Sequence, residues 1–114
     1  MKVKEIVEII NGKLICGEAM GEIDVHMGFA SDLMSDVLTL DSDNVLLITG
    51  LANLQAIRTA EMSDISCIIF ARNKKVSKEM IELAKESNIA LIECSCSVFK
   101  TAGKLYAAGI NPVY

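Results

Sequence analysis

Polar side chains and a glycine follow three aliphatic segments of the sequence, and together they have the chemistry of a binding site. The segments end at Ala30, Thr49 and Ala71. Just beyond them, Arg72 offers a guanidinium to an anion, and Asp32 offers a carboxylate to a hydroxyl or an amine. We assign six residues to one predicted ligand-binding crevice: Ser31, Asp32, Thr49, Gly50, Asn53 and Arg72.

The location of these residues favours a small anion or a nucleotide as the ligand. The carboxyl ends of parallel strands lie at one edge of a sheet, where helix N-termini present unpaired N–H groups and the positive end of the helix dipole. A simpler explanation is that the same side chains only cap helices, which contributes about 1 kcal/mol for each cap. The sequence leaves this alternative open for four residues: Asp32, Asn53, Ser77 and Ser97.

Two cysteines, Cys94 and Cys96, form a second candidate site between the last predicted strand and the last predicted helix. A helix N-terminus stabilises a thiolate, which favours metal binding or redox chemistry. The pair supplies only two ligands, whereas a structural zinc site needs four. Cys16 and Cys67 lie in predicted strands and are interpreted as buried apolar residues. A metal- or redox-active accessory protein using Cys94 and Cys96 is therefore an alternative, and the main prediction includes no metal and no cofactor.

No grouping of residues in the sequence has the pattern of a known catalytic site. His26 is the only histidine, so a Ser/His/Asp triad has no support. The phosphate-binding string GxxxxGK[ST] does not occur. The main prediction is a protein without catalytic residues, and the second alternative is a small enzyme acting at a crevice between Asp32 and Asn53.

The first third of the chain predicts a helix followed by short strands. Apolar residues from Val3 to Ile10 recur at helical spacing, and Asn11-Gly12 supplies a left-handed stop. A strand at Lys13–Cys16 and a loop at Glu18–Asp24 follow. We then expect a strand at 25–30 and a short helix at 33–38, capped by Ser31 or Asp32.

From Val45 onward, aliphatic strands alternate with amphipathic helices. The predicted elements are strands at 45–49, 66–71 and 89–93, helices at 53–62, 77–87 and 98–108, and an extended tail at 110–114. Short connections between such elements favour βαβ units and a parallel sheet. The prediction is an α/β fold, with residues 1–114 forming a single three-layer domain whose mostly parallel central sheet is flanked by helices.

Composition narrows the class of partner. Apolar residues make up 52% of the chain, which favours a surface covered by a second subunit, and we expect a homodimer. The last helix carries small and large apolar residues that suit either a dimer surface or packing on the sheet: Phe99, Ala102, Gly103, Leu105, Tyr106, Ala107 and Ala108. The net charge is −4 and the basic residues are scattered, which argues against a nucleic-acid partner.

No apolar run approaches the roughly 18 residues of a membrane span, and the start does not resemble a signal peptide, so we expect a cytoplasmic protein.

Three segments of the sequence resemble one known family. They are GFASDLMSDVL, VLLITG and CIIFARNKKVSKEMIELAKESNIALIECSCSVFKTAGKLYAAGI. The chain resembles the DRTGG domain family from about Val3 to Ile110, in particular its small stand-alone members, and it distantly resembles the N-terminal domain of HPr kinase/phosphorylase. The resemblance implies an α/β regulatory domain that is often dimeric and generally has no catalytic residues. We therefore expect a regulatory or scaffolding domain that associates with a protein partner and senses a small anionic ligand or nucleotide.

Overall fold

A computed structural model describes residues 1–114, which form a six-stranded sheet between two layers of helices. The strands are β1 (Lys13–Leu14), β2 (Met27–Ala30), β3 (Val45–Thr49), β4 (Ile65–Phe70), β5 (Ala90–Glu93) and β6 (Asn111–Pro112). The helices are α1 (Val3–Ile10), α2 (Met34–Val37), α3 (Leu54–Met62), α4 (Lys78–Glu86) and α5 (Val98–Ala107), with a 3-10 segment at Glu18–Glu22. None of these helices combines the length and the apolar character needed to cross a membrane.

The sheet confirms the predicted α/β fold with a mostly parallel arrangement. Its strand order is β1-β5-β4-β3-β2-β6, and only β1 runs antiparallel to its neighbour. Three details differ from the prediction, apart from shifts of one or two residues in other element bounds. The strand β1 ends at Leu14, so Cys16 lies beyond it and not in a strand. The expected loop after β1 contains the 3-10 segment, and the extended tail adds β6 beside β2. Two residues are too few to show a strand pattern in a sequence. One of them is Pro112, and proline argues against a strand because it has no N–H to donate to a sheet.

Each face of the sheet is covered by its own helices. The first core lies under α2, α3 and α4 and includes Val37, Ile57 and Ala84. The second core lies under α1 and α5 and includes Ile6 and Leu105. The central strands β3 and β4 contribute alternate side chains to both cores, which explains why they are mostly apolar.

Local side-chain bonds fix where the later helices begin. The side chains of Asn53, Ser77 and Ser97 accept hydrogen bonds from the backbone N–H groups at the starts of α3, α4 and α5. These three capping predictions are confirmed. The caps hold the helix N-termini close to the carboxyl ends of β3, β4 and β5, where the predicted crevice lies.

Candidate functional site

Asp32 links the ends of β2 and β3. Its Oδ1 accepts a hydrogen bond of 2.8 Å from Thr49 Oγ1 and one of 2.7 Å from the Gly50 backbone N–H. The register of the sheet makes this link, because Ala30 pairs with Ile48 and the two chains leave the sheet side by side. The carboxylate therefore closes the gap between two strand ends.

The prediction that Ser31 or Asp32 caps α2 is wrong. The helix begins after Leu33, and no side chain caps it. The Ser31 hydroxyl instead accepts a 3.0 Å bond from the Leu33 N–H, and Ser31 lies two residues before Leu33, which occupies the N-cap position. Asp32 is left with Oδ2 outside these hydrogen bonds, so it retains a free acceptor.

Hydrogen bonds to its charged form keep Asp32 ionised. The Gly50 N–H and the Thr49 hydroxyl lower the pKa of this carboxyl below its ordinary value, burial opposes them, and the charge of Arg72 adds to the lowering. A carboxylate of this kind accepts hydrogen bonds at neutral pH. It is a poor general base or acid there, because its pKa is far from the working pH.

Arg72 is held in an unusual backbone conformation. Arg72 and Asn73 have φ angles of 62° and 60°, the left-handed region that ordinary side chains disfavour by about 1–2 kcal/mol per residue. Their N–H groups donate to Cys96 O at 2.7 Å and to Cys94 O at 3.0 Å. The loop after β5 therefore compensates the strain, and strain of this kind is concentrated at functional sites.

The Arg72 side chain lies against Gly50. A Cβ atom added at Gly50 would stand 3.1 Å from Arg72 Nη1 and 3.5 Å from Asp32 Oδ2. The domain's ion pairs do not include Arg72, so its guanidinium has no carboxylate within ion-pair distance. We call the group formed by Asp32, Thr49, Gly50 and Arg72 the Gly50 site.

The other two predicted site residues have local partners. Asn53 Oδ1 accepts a 3.1 Å bond from the Ala56 N–H as the cap of α3, and Ser31 bonds to Leu33. Thr49 is fully buried, and its hydroxyl also accepts a 3.1 Å bond from the Leu51 N–H. The five surface cavities of the domain are lined by other residues, so the Gly50 site is an open surface. Asn73, which shares the left-handed conformation of Arg72, is not one of the six predicted site residues, although it lies in a strand-end segment that suits the crevice and asparagine is enriched in this region.

The two cysteines of the CxC pair differ in environment. Cys94 is 4% exposed, and its Sγ donates to Ile10 O at 3.6 Å and lies 3.8 Å from Thr101 Oγ1 in the second core. Cys96 is partly exposed, and its N–H donates to Cys94 Sγ at 3.4 Å. No group of three or more His, Cys, Asp or Glu side chains is arranged to hold a metal ion. Cys16 and Cys67 are buried, as the sequence indicates, and burial is the main cause that raises the pKa of each thiol.

Helices on both faces of a mostly parallel sheet, with polar and charged groups at the strand ends, define a three-layer α/β domain. The chain belongs to the DRTGG domain family, whose model matches residues 5–108. The family resemblance noted in the sequence is thereby confirmed. No curated protein matches the chain.

Among solved structures, the chain is similar to one from a larger regulatory region. This is the crystal structure of the CBS and DRTGG domains of the regulatory region of Clostridium perfringens pyrophosphatase, complexed with the activator diadenosine tetraphosphate. The TM-score is 0.74 at 19% sequence identity, over 98% of this chain and 48% of that one. The chain thus spans about half of the crystallised region, and the likeness shows a shared fold.

Proposed function

We propose that this DRTGG domain is a non-catalytic regulatory domain that senses a nucleotide or a related phosphorylated molecule at the Gly50 site. The observation that carries the proposal is Arg72, a guanidinium without an ion-pair partner that is held over a glycine by a strained backbone. A guanidinium binds phosphate through two parallel hydrogen bonds. The left-handed backbone at Arg72 is energetically unfavourable, and a contact between the guanidinium and a ligand explains why the protein keeps it.

The groups beside Arg72 fit the remaining parts of a nucleotide. Asp32 Oδ2 is available to accept a bond from a ribose hydroxyl, the role that a carboxylate plays in dinucleotide-binding folds. Gly50 has no side chain, so a ligand backbone or sugar can approach the end of β3 closely. The site therefore suits a ligand that has a phosphate, a hydroxyl group and a part that fits closely against Gly50. A nucleotide has all three features, whereas a simple inorganic anion does not.

A regulatory role fits the chemistry of the site better than catalysis. The only carboxylate of the site belongs to Asp32, which acts as a hydrogen-bond acceptor. The pKa of Asp32 is lowered, away from neutrality. The solved neighbour is a regulatory region in complex with a nucleotide activator, which supports the same class of ligand and role for this chain. The partner that the domain controls is proposed to be a cytoplasmic protein.

A thermal-shift screen tests this proposal. A ligand that binds only the folded state stabilises it by about 2.7 kcal/mol at a concentration of 100 times the Kd, which raises the Tm of a domain of this size by about 10 °C. We expect a rise with ATP, AMP or diadenosine tetraphosphate, and none with adenosine, which has no phosphate. If neither nucleotides nor phosphorylated metabolites raise the Tm, the sensing role is wrong and a scaffolding role is favoured.

We also propose that the domain forms a homodimer through the outer face of α5. Phe99 is 89% exposed and Tyr106 is 69% exposed on this helix. A side chain added at Gly103 would meet no neighbouring atom, so a second backbone can approach there. Large exposed aromatic residues around a small residue are typical of a self-association surface.

Sedimentation of a Phe99→Glu variant tests the dimer. We expect wild type to sediment at twice the mass of the chain at micromolar concentration, and the variant to sediment as a monomer with unchanged stability. Met62→Glu is the matched control, because Met62 is also an exposed apolar residue (67%) but lies on α3. A wild-type monomer, or dissociation by both variants, would contradict this interface.

A further inference from the structure

The largest cavity of the domain lies far from the Gly50 site. Its volume is about 400 Å³, against 160 to 240 Å³ for the other four. It lies between the 3-10 segment and the C-terminal end of α4. Because α4 leads directly into β5, this position is at the amino ends of the parallel strands, whereas the Gly50 site is at their carboxyl ends. We call it the β1-edge cavity.

The lining of the β1-edge cavity is mostly apolar. Cys16 is fully buried at its floor, and Ala19 and Met20 of the 3-10 segment form one wall together with Ile23, which directly follows the segment. Met20 packs against both cores of the domain, since the segment wraps around the edge of the sheet. A methionine side chain is flexible, so this wall can adjust to the shape of an occupant.

Lys85 is the only charged residue in the lining. It takes part in none of the ion pairs of the domain. Its ammonium is within electrostatic reach of the floor: burial raises the pKa of the Cys16 thiol, while the backbone at Leu91 and the charge of Lys85 act against that increase. The cavity thus combines a mostly apolar interior with one positive charge at its rim, which lies in the last turn of α4 and has no carboxylate within ion-pair distance.

The wall formed by the 3-10 segment is anchored to α1. Lys2 Nζ and Lys4 Nζ each lie 2.9 Å from a carboxylate oxygen of Glu22. Gly21 is buried against the same helix, and a Cβ added there would stand 3.3 Å from Lys4 Cβ. The cavity is therefore built into the fold, with a fixed outer wall and an adaptable Met20.

We propose that the β1-edge cavity is a second binding site, which takes a small molecule with an apolar body and a single carboxylate. Known small-molecule sites have volumes of about 300 to 1,000 Å³ and a mostly apolar lining with a few polar groups that fix orientation. Lys85 supplies that orienting group, and the lining contains no carboxylate that would repel an anion. The site does not depend on the function proposed for the Gly50 site.

Phenylacetate and its uncharged analogue phenylacetamide test the site in the full chain. In a titration followed by amide NMR at millimolar concentration, we expect phenylacetate to shift signals of residues 16–23 and 85–88. Lys85→Met is expected to weaken phenylacetate binding about fivefold, the upper end of the range for an exposed ion pair, and to leave phenylacetamide binding unchanged. Lys78→Met is the matched control, because it removes the same charge from the start of α4.

A second variant keeps the test independent of charge. Ala19→Leu fills the cavity from an exposed position in its wall, so it is expected to weaken both probes while the domain stays folded. The proposal is overturned if phenylacetate shifts no cavity signal, if Lys85→Met and Lys78→Met weaken it equally, or if Ala19→Leu has no effect. Nucleotide binding at Gly50 would be unaffected by any of these results.

Discussion

Asp32→Ala is expected to lower the free energy of unfolding by about 1–2 kcal/mol. The substitution removes the acceptor of the Gly50 N–H and of the Thr49 hydroxyl, and leaving buried polar groups unpaired costs about 1–3 kcal/mol each. The lower part of that range applies because Asp32 itself is exposed and water can reach the vacated position. Chemical denaturation measures the change, and Asp41→Ala is the control for loss of an exposed carboxylate.

The effect of Asp32 depends on pH in a defined direction. Its pKa in the folded state is lowered, so its contribution is complete above the unfolded pKa of about 3.9 and is lost as the pH falls through the lower, folded value. Asp32→Asn keeps an acceptor oxygen without this titration. We expect the variant to lose less stability than wild type between pH 4 and more acidic values.

Glu22 titrates in the same acidic range and provides the comparison. Hydrogen bonds from Lys2 and Lys4 lower the pKa of Glu22 to about 2. A Glu22→Gln variant reports the contribution of that exposed group separately from Asp32. If Asp32→Asn and wild type lose stability in parallel below pH 4, the hydrogen bonds from Gly50 and Thr49 do not lower the pKa of Asp32 in the folded state.

Arg72→Gly is expected to change stability and binding in opposite directions. Glycine adopts a φ of 62° without steric cost, while its freer unfolded chain offsets part of this gain, so we expect the free energy of unfolding to rise by about 0.5 kcal/mol. Loss of a guanidinium bound to phosphate removes about 2–3 kcal/mol of binding energy, which corresponds to a nucleotide affinity that is weaker by about 30- to 150-fold. Denaturation and calorimetric titration measure the two quantities on the same protein.

Two neighbouring variants separate backbone strain from ligand contact. Asn73→Gly keeps the guanidinium, and asparagine already tolerates the left-handed conformation, so this variant is expected to change stability less than Arg72→Gly and to leave the affinity nearly unchanged. Arg72→Lys keeps the positive charge but not the two-pronged donor, and we expect an affinity between those of wild type and Arg72→Gly. Unchanged affinity in Arg72→Gly would remove Arg72 from the binding site.

The sequence predicts the elements of this fold well because each has a local signal. Aliphatic runs mark β3 and β4, and Asn53, Ser77 and Ser97 mark helix starts through bonds to residues three positions away. The signal fails where structure depends on distant partners. The strand β6 is defined by pairing with β2, more than 80 residues earlier in the chain.

The site shows the same division between local and distant effects. The residue types at the strand ends follow from the sequence, but their arrangement does not. In the sequence, Asp32 is equally compatible with a helix cap. Its actual partner is the Gly50 N–H, 18 positions away, and only the fold brings the two together. The left-handed turn at Arg72 and Asn73 depends on carbonyl groups of Cys94 and Cys96 in the next loop, which no local pattern around Arg72 encodes.

Amide NMR of wild type with ATP, diadenosine tetraphosphate and inorganic pyrophosphate tests the proposed nucleotide site most directly. We predict saturable shifts at Gly50, Leu51, Arg72 and Asn73, which are larger for the nucleotides than for pyrophosphate and are lost in Arg72→Gly. Saturable shifts confined to other parts of the domain, or shifts at Gly50 that persist unchanged in Arg72→Gly, would contradict a nucleotide site built around Arg72.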